Sequence, residues 1–161
     1  MTNLKIEFCL RLILIISLVS IISAYFIEYV LGHQPCNLCL IERIPYGLSI
    51  ILITLNYFFE KNEKFIILLL ILTFFFSFAI SVYHLGIEEG LFEESAVCGL
   101  KNTTGIISKE EILKQLQEKS ISCKDVTFRI FGLSLTSINI LLSLILITLL
   151  TKIYISYEKN K

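Results

Sequence analysis

Four long apolar runs dominate the chain, at 10–31, 44–59, 65–86 and 131–155, with short polar segments between them. Their hydrophobicity is continuous rather than alternating, so each predicts a helix and not a strand. A helix of about 20 apolar residues crosses the hydrocarbon core of a bilayer, and only helices or closed barrels satisfy backbone polar groups there. The second run is short as it stands. Begun at Pro35 or Asn37 it is long enough, and Cys36 and Cys39 then fall in its first turns. The first run follows Lys5 and Arg11, but it is long for the apolar part of a signal peptide and ends without a small-x-small cleavage site. The pattern predicts an all-α membrane protein: a four-transmembrane-helix bundle forming a single membrane domain over 1–161. Its spans lie at about 10–31, 37–59, 65–86 and 130–155. The two loops at about 32–36 and 87–129 lie on one side, and both termini with the turn 60–64 lie on the other.

The long loop has a pattern of its own. Ser108 with Glu111 makes a capping box, and Ile107 with Ile112 has the spacing of a hydrophobic staple. Ile112, Leu113 and Leu116 share one face. A short amphipathic helix is expected there, on the membrane surface or packed on the protein. Composition agrees with the spans: 55% of the residues are hydrophobic and mean hydropathy is +0.79, more apolar surface than a soluble domain of this size needs. Formal net charge is zero, which gives no reason to expect a nucleic-acid partner. The 14 basic residues divide evenly between the two sides, but those near the termini and the turn 60–64 sit in much shorter segments close to span ends. The positive-inside rule operates there, so both termini are expected in the cytoplasm and both loops outside it.

Disulfide chemistry belongs on that outer side, and four of the five cysteines fall there. Cys36 and Cys39 are three apart and share a helix face. At a helix start the positive end of the dipole favours a thiolate. Cys98 lies in the small, flexible setting Ala96-Val97-Cys98-Gly99, which would leave its sulfur reachable, and Cys123 follows close to the fourth span. A bridge between Cys98 and Cys123 would close a loop across the amphipathic helix. Two static structural disulfides are the simplest reading of such pairs, whereas two disulfides able to approach each other on one membrane face suggest exchange. Zinc is disfavoured, because ribbon sites bring two close pairs. Cys9, at the other end of the first span, reads as an ordinary buried or free thiol.

Arg43 stands four residues beyond Cys39, one turn deeper, where a guanidinium would stabilise a Cys39 thiolate or hold an electron-rich ring oxygen. Alone it would read as an interfacial anchor. Glu42 reads as a solvated or ion-pairing residue. Pro45 removes the backbone bond to the Ile41 carbonyl and loosens the helix. His84, after Tyr83 at the end of the third span, lies at the depth of the cysteines, and an ionisable group at a membrane boundary is a functional candidate. Gly132 offers a small residue for close helix packing, and Asn139 a side chain that bonds across helices.

Gln34-Pro35-Cys36-Asn37-Leu38-Cys39-Leu40-Ile41-Glu42-Arg43, Tyr83-His84, Cys98, Cys123 and Phe131-Gly132-Leu133-Ser134-Leu135 together resemble the DsbB family of bacterial disulfide-bond formation proteins. The resemblance runs from the first span through the fourth. It implies a quinone-dependent thiol:disulfide oxidoreductase of the bacterial inner membrane that reoxidises a periplasmic DsbA-like oxidase and passes the electrons to ubiquinone or menaquinone. By position, Cys98 would be attacked by the partner thiolate and Cys123 would be its bridge partner. Cys36 would exchange with Cys123, Cys39 would face the quinone, and Arg43 and His84 would bind it. Family members often carry a tryptophan shortly after the last cysteine; Phe128 stands there, a ring that packs but has no indole donor. The alternatives are a paralogue serving a different dedicated partner and a non-catalytic tetraspan protein with two structural disulfides.

Overall fold

The computed structural model describes residues 2–58, 63–93, 98, 122–124, 128–130 and 132–159. Five helices and one small hairpin follow in order: α1 (Thr2–Tyr29), α2 (Asn37–Ile41), α3 (Ile44–Phe58), α4 (Glu63–Glu88), β1 (Arg129–Ile130), β2 (Leu133–Ser134) and α5 (Leu135–Lys159). The helix expected around Ser108 and Leu116 lies outside the described residues.

Among the described residues, four stretches are long and apolar enough to cross a membrane: Ile6–Tyr29, Asn37–Phe58, Glu63–Glu88 and Leu135–Tyr157. The 28 residues of α1 make about 42 Å of helix, more than the roughly 30 Å that the hydrocarbon core requires. The second stretch is made of α2 and α3 together. Its helix tightens where Arg43 N–H bonds the Leu40 carbonyl and resumes as Gly47 N–H bonds the Arg43 carbonyl. Pro45 has no N–H to offer Ile41, so the break falls there.

The fourth span starts later than the sequence pattern suggests. Arg129 pairs with Ser134 and Ile130 with Leu133, and α5 begins only at Leu135. Gly132 therefore belongs to the turn of this hairpin, at φ +85°, and not to a helix contact; a Cβ there would meet nothing within 4 Å. Its use is conformational, because the left-handed region suits glycine.

α4 lies against α5 and α3, and α1 packs on α3. Leu10, Ile13, Ile53, Ile67, Leu70, Phe74, Leu146 and Leu150 fill the centre. Ile15, Ile22, Ile51, Leu72, Phe75 and Ile145 face outward, as lipid-facing side chains should. Lipid is as apolar as leucine, so burial alone does little to hold such helices together, and polar contacts help. Ser17 and Ser49 meet at 2.7 Å between α1 and α3. Ser143 donates to Ser77 at 3.2 Å between α5 and α4. Asn139 ties three helices, as its expected role requires: it accepts the Tyr46 hydroxyl proton from α3 and donates to Ser81 on α4 at 2.7 Å. Replacing Asn139 by leucine should lower the unfolding free energy in detergent micelles by about 1–2 kcal/mol. The Asn139→Leu and Tyr46→Phe effects should add to less than their sum in an equilibrium denaturation series.

Candidate active site

The second span opens on the sulfur of Cys36. This residue caps α2 in an extended conformation, with φ −74° and ψ 169°, and its Sγ accepts the backbone N–H of Cys39 at 3.3 Å. The three-residue spacing puts both cysteines on one face, and their sulfurs lie 2.7 Å apart. Closing that gap to a bond of about 2.05 Å takes only a small rotation. Ligand atoms from Cys36, Cys39 and His84 lie within 4.8 Å of one another. Two sulfurs on one tetrahedral zinc, each about 2.3 Å from the metal, would stand roughly 3.8 Å apart. The observed separation is shorter than two zinc-bound sulfurs would have.

His84 reaches this pair from the last turns of α4. Its Nε2 lies 3.5 Å from Cys36 Sγ, and its Nδ1 lies 3.0 Å from Glu42 Oε1 and 3.3 Å from Thr136 Oγ1. Thr136, on the first turn of α5, donates in turn to Glu88 Oε1 at 2.5 Å. A ring proton on Nδ1 is held by Glu42 and Thr136, which turns Nε2 toward the sulfur; second partners of this kind fix a histidine's tautomer. The Cys36 thiol is held well below the ordinary thiol range, at about 5. The Cys39 side chain donates to it, and His84 and the Cys39 N–H add to that, against the opposing effect of burial. Of the two roles expected of Glu42, solvated or ion-pairing, the second is seen: it is buried and paired with His84. The break before α3 leaves it as the C-terminal cap of α2, facing inward.

Cys98 and Cys123 are joined in a disulfide, with Cα atoms 5.5 Å apart. Both are buried in one cluster with Cys36, Leu38 and Ile87, and Cys39 and Ile41 rest against it. The exposed sulfur expected at Cys98 is thus not what is seen, because the apolar side chains around the second pair cover the bridge.

On its other side the dithiol meets a cavity of about 340 Å³ between α1, the second span and α5. Cys39, Glu42, Arg43, Tyr46 and Phe128 all line it. Arg43 Nη1 donates to Glu28 Oε2 at 2.5 Å, and its guanidinium lies 5.0 Å from the centre of the Tyr25 ring. Its charge partner is Glu28 on α1, rather than Cys39. Phe128 packs at 5.1 Å on His33, which also lines the cavity. Arg43 and His84, expected together, are separated by function of place: Arg43 lines the cavity, whereas His84 stands behind Cys36. Glu28, Thr136 and Glu88 went unremarked as site residues in the sequence. Glu28 carried a usable signal, an acid within an apolar span. Glu88 fell within the long loop expected at 87–129, and Thr136 gave no signal.

A membrane bundle that carries a disulfide packed beside a second cysteine pair holds the sulfur groups that a membrane thiol oxidoreductase needs. The chain belongs to the DsbB family: the family model described as disulfide bond formation protein DsbB matches residues 7–153. This is a multi-pass membrane protein of disulfide-bond formation with thiol oxidoreductase activity. It is similar to "Uncharacterized protein RP370" of Rickettsia prowazekii (strain Madrid E), 31% identical over 156 residues, covering 94% of this chain and 90% of that one. No solved structure matches it.

The lowered Cys36 pKa has a direct consequence. A depressed pKa keeps the thiolate present as pH falls, so alkylation of the reduced protein at Cys36, read by mass spectrometry, should persist down to about pH 5. An ordinary thiol of pKa about 8.5 loses tenfold in rate per pH unit below that value. His84→Ala should move the Cys36 midpoint upward.

Proposed function

We propose that the chain reoxidises a DsbA-type periplasmic dithiol oxidase and passes the electrons to a membrane quinone, from a bacterial inner membrane with both termini in the cytoplasm. The observation that carries this reading is the position of the Cys36–Cys39 pair. Cys36 packs with the Cys98–Cys123 bridge, and Cys39 lines the cavity beside Arg43.

Exchange requires a thiolate to attack a disulfide sulfur. The partner thiolate would attack Cys98, releasing Cys123 as a thiolate, once the bridge moves off Leu38 and Ile87. Attack of the partner's second thiolate then frees the oxidised partner and leaves Cys98 reduced. Cys123 attacks Cys36 of the Cys36–Cys39 disulfide, and Cys39 leaves as a thiolate at the cavity wall. Cys98 would then attack Cys123, restoring the loop bridge and releasing Cys36 as a thiolate, and the Cys36–Cys39 bond would re-form with the loss of two electrons through Cys39 to the acceptor.

The cavity fits a quinone ring. Its volume lies in the range of small-molecule sites. Its lining is mostly apolar, with Val19, Ile21 and Ile27 of α1 and Ile138 and Leu142 of α5 among it, and Arg43, held by Glu28 and Tyr25, supplies a fixed cation. A bound quinone supplies a two-electron, two-proton acceptor. The residues here would do the rest: Phe128 and Leu142 would pack on a ring, Arg43 would attract its oxygen, and Cys39 would present the sulfur. Phe128 would serve where the family often has tryptophan.

Replacing Cys39 with Ala should abolish quinone reduction driven by a reduced DsbA-type dithiol while the protein remains inserted. Turnover at the wild-type rate in that variant would overturn the relay. Arg43→Ala should raise KM for a soluble quinone about tenfold with a smaller change in kcat, since a charge-assisted hydrogen bond contributes roughly 1.5–3 kcal/mol.

A further inference from the structure

Electrons and protons cannot follow the same route through this protein. Thiol–disulfide exchange hands on thiolates, so the sulfur path carries electron pairs alone. The overall balance is partner dithiol plus quinone giving partner disulfide plus quinol. Two S–H bonds break and one S–S bond forms at the loop end, and two O–H bonds form at the cavity. Two protons must therefore reach the cavity by a route other than the sulfur relay.

We propose that Glu88, Thr136, His84 and Glu42 form the proton path from the loop end of α4 to the cavity. This rests on the quinone-linked reading given above. The four side chains make an unbroken series: Glu88 Oε1 to Thr136 Oγ1 at 2.5 Å, Thr136 Oγ1 to His84 Nδ1 at 3.3 Å, and His84 Nδ1 to Glu42 Oε1 at 3.0 Å. The outer end is Glu88, the last residue of α4, followed by the exposed Glu89 and Gly90. The inner end is Glu42, which lines the cavity together with Thr136 and Cys39. Three separate elements supply the series, so it exists only when α2, α4 and α5 are packed together.

The composition of the series argues against a packing role alone. Elsewhere in the bundle neutral Ser, Asn and Tyr groups bridge the helices. Here two carboxylates flank one buried imidazole, with Glu42 at 3.0 Å and Glu88 at 3.7 Å. Such a set can take up or release a proton and shift it among three titratable groups, which a neutral bridge cannot do. The titratable groups that face it are Cys36 from the loop before α2, Cys39 on α2 and Tyr46 on α3. Arg43 is engaged with Glu28 on the far wall. His84 thereby has two tasks, steadying the Cys36 thiolate through Nε2 and passing a proton through Nδ1.

The test uses full-length protein in lipid nanodiscs. Glu88→Gln should lower kcat for quinone reduction about tenfold or more, in the range of lost proton transfer, with KM for quinone unchanged. The rate at which a reduced dithiol partner opens Cys98–Cys123 should stay as in the wild type. Glu88→Asp and Thr136→Ser should recover most of the lost rate, Thr136→Val should not, and the slowed variants should show a larger solvent deuterium isotope effect. In quinone-depleted protein, the infrared difference spectrum between the oxidised and reduced Cys36–Cys39 pair should contain a deuterium-sensitive carboxyl band, lost in Glu42→Gln or Glu88→Gln. Wild-type kcat and isotope effect in Glu88→Gln would overturn the proton path, as would a difference spectrum without a carboxyl band. Failure of the wild-type protein to reduce quinone at all would instead overturn the functional reading beneath it.

Discussion

A polar side chain inside a bilayer has no water to fall back on, and that constraint orders this molecule. Each buried polar group has to find a protein partner or cost several kcal/mol. Along most of the bundle the solution is neutral: paired serines and the Tyr46–Asn139–Ser81 bridge hold helices that apolar burial alone would leave free to slide. At one end the solution is ionic. Glu28 holds Arg43, and Glu42 holds His84. The redox chemistry is gathered at that ionic end.

The break in the second span joins the two regimes. Pro45 stops the helix from running straight through, and the short α2 then presents Cys36 and Cys39 at its start and Glu42 at its end. The same small helix thus faces the Cys98–Cys123 bridge, His84 and the cavity. An unbroken helix would carry these side chains a fixed 100° apart per residue, with no freedom to aim Glu42 inward.

Sequence periodicity was enough to read the four spans, because the constraint that sets their length is the bilayer and acts on every residue alike. The close cysteine pair, with Arg43 one turn on, was legible for a similar reason: helix geometry links positions three and four apart. What escaped was contact between distant elements. Glu42 read as solvated or ion-pairing, but nothing near it in sequence shows that its partner will be His84, on α4. Gly132 looked like a helix-packing residue because the hairpin Arg129–Ile130 with Leu133–Ser134 is too short to leave a pattern. The burial of Cys98 was hidden too, since it depends on Leu38 and Ile87 from two other elements.

The central claim is that Cys36 connects the loop disulfide to the pair at the cavity. The most direct measurement is disulfide mapping by mass spectrometry in a variant that has lost the outer sulfur of each pair, Cys39→Ser with Cys98→Ser. The account predicts that Cys36 and Cys123 join to each other within one chain as the protein oxidises, because their side chains already share one buried cluster. If the two cysteines stay reduced, or bridge only between molecules, the relay does not run through Cys36.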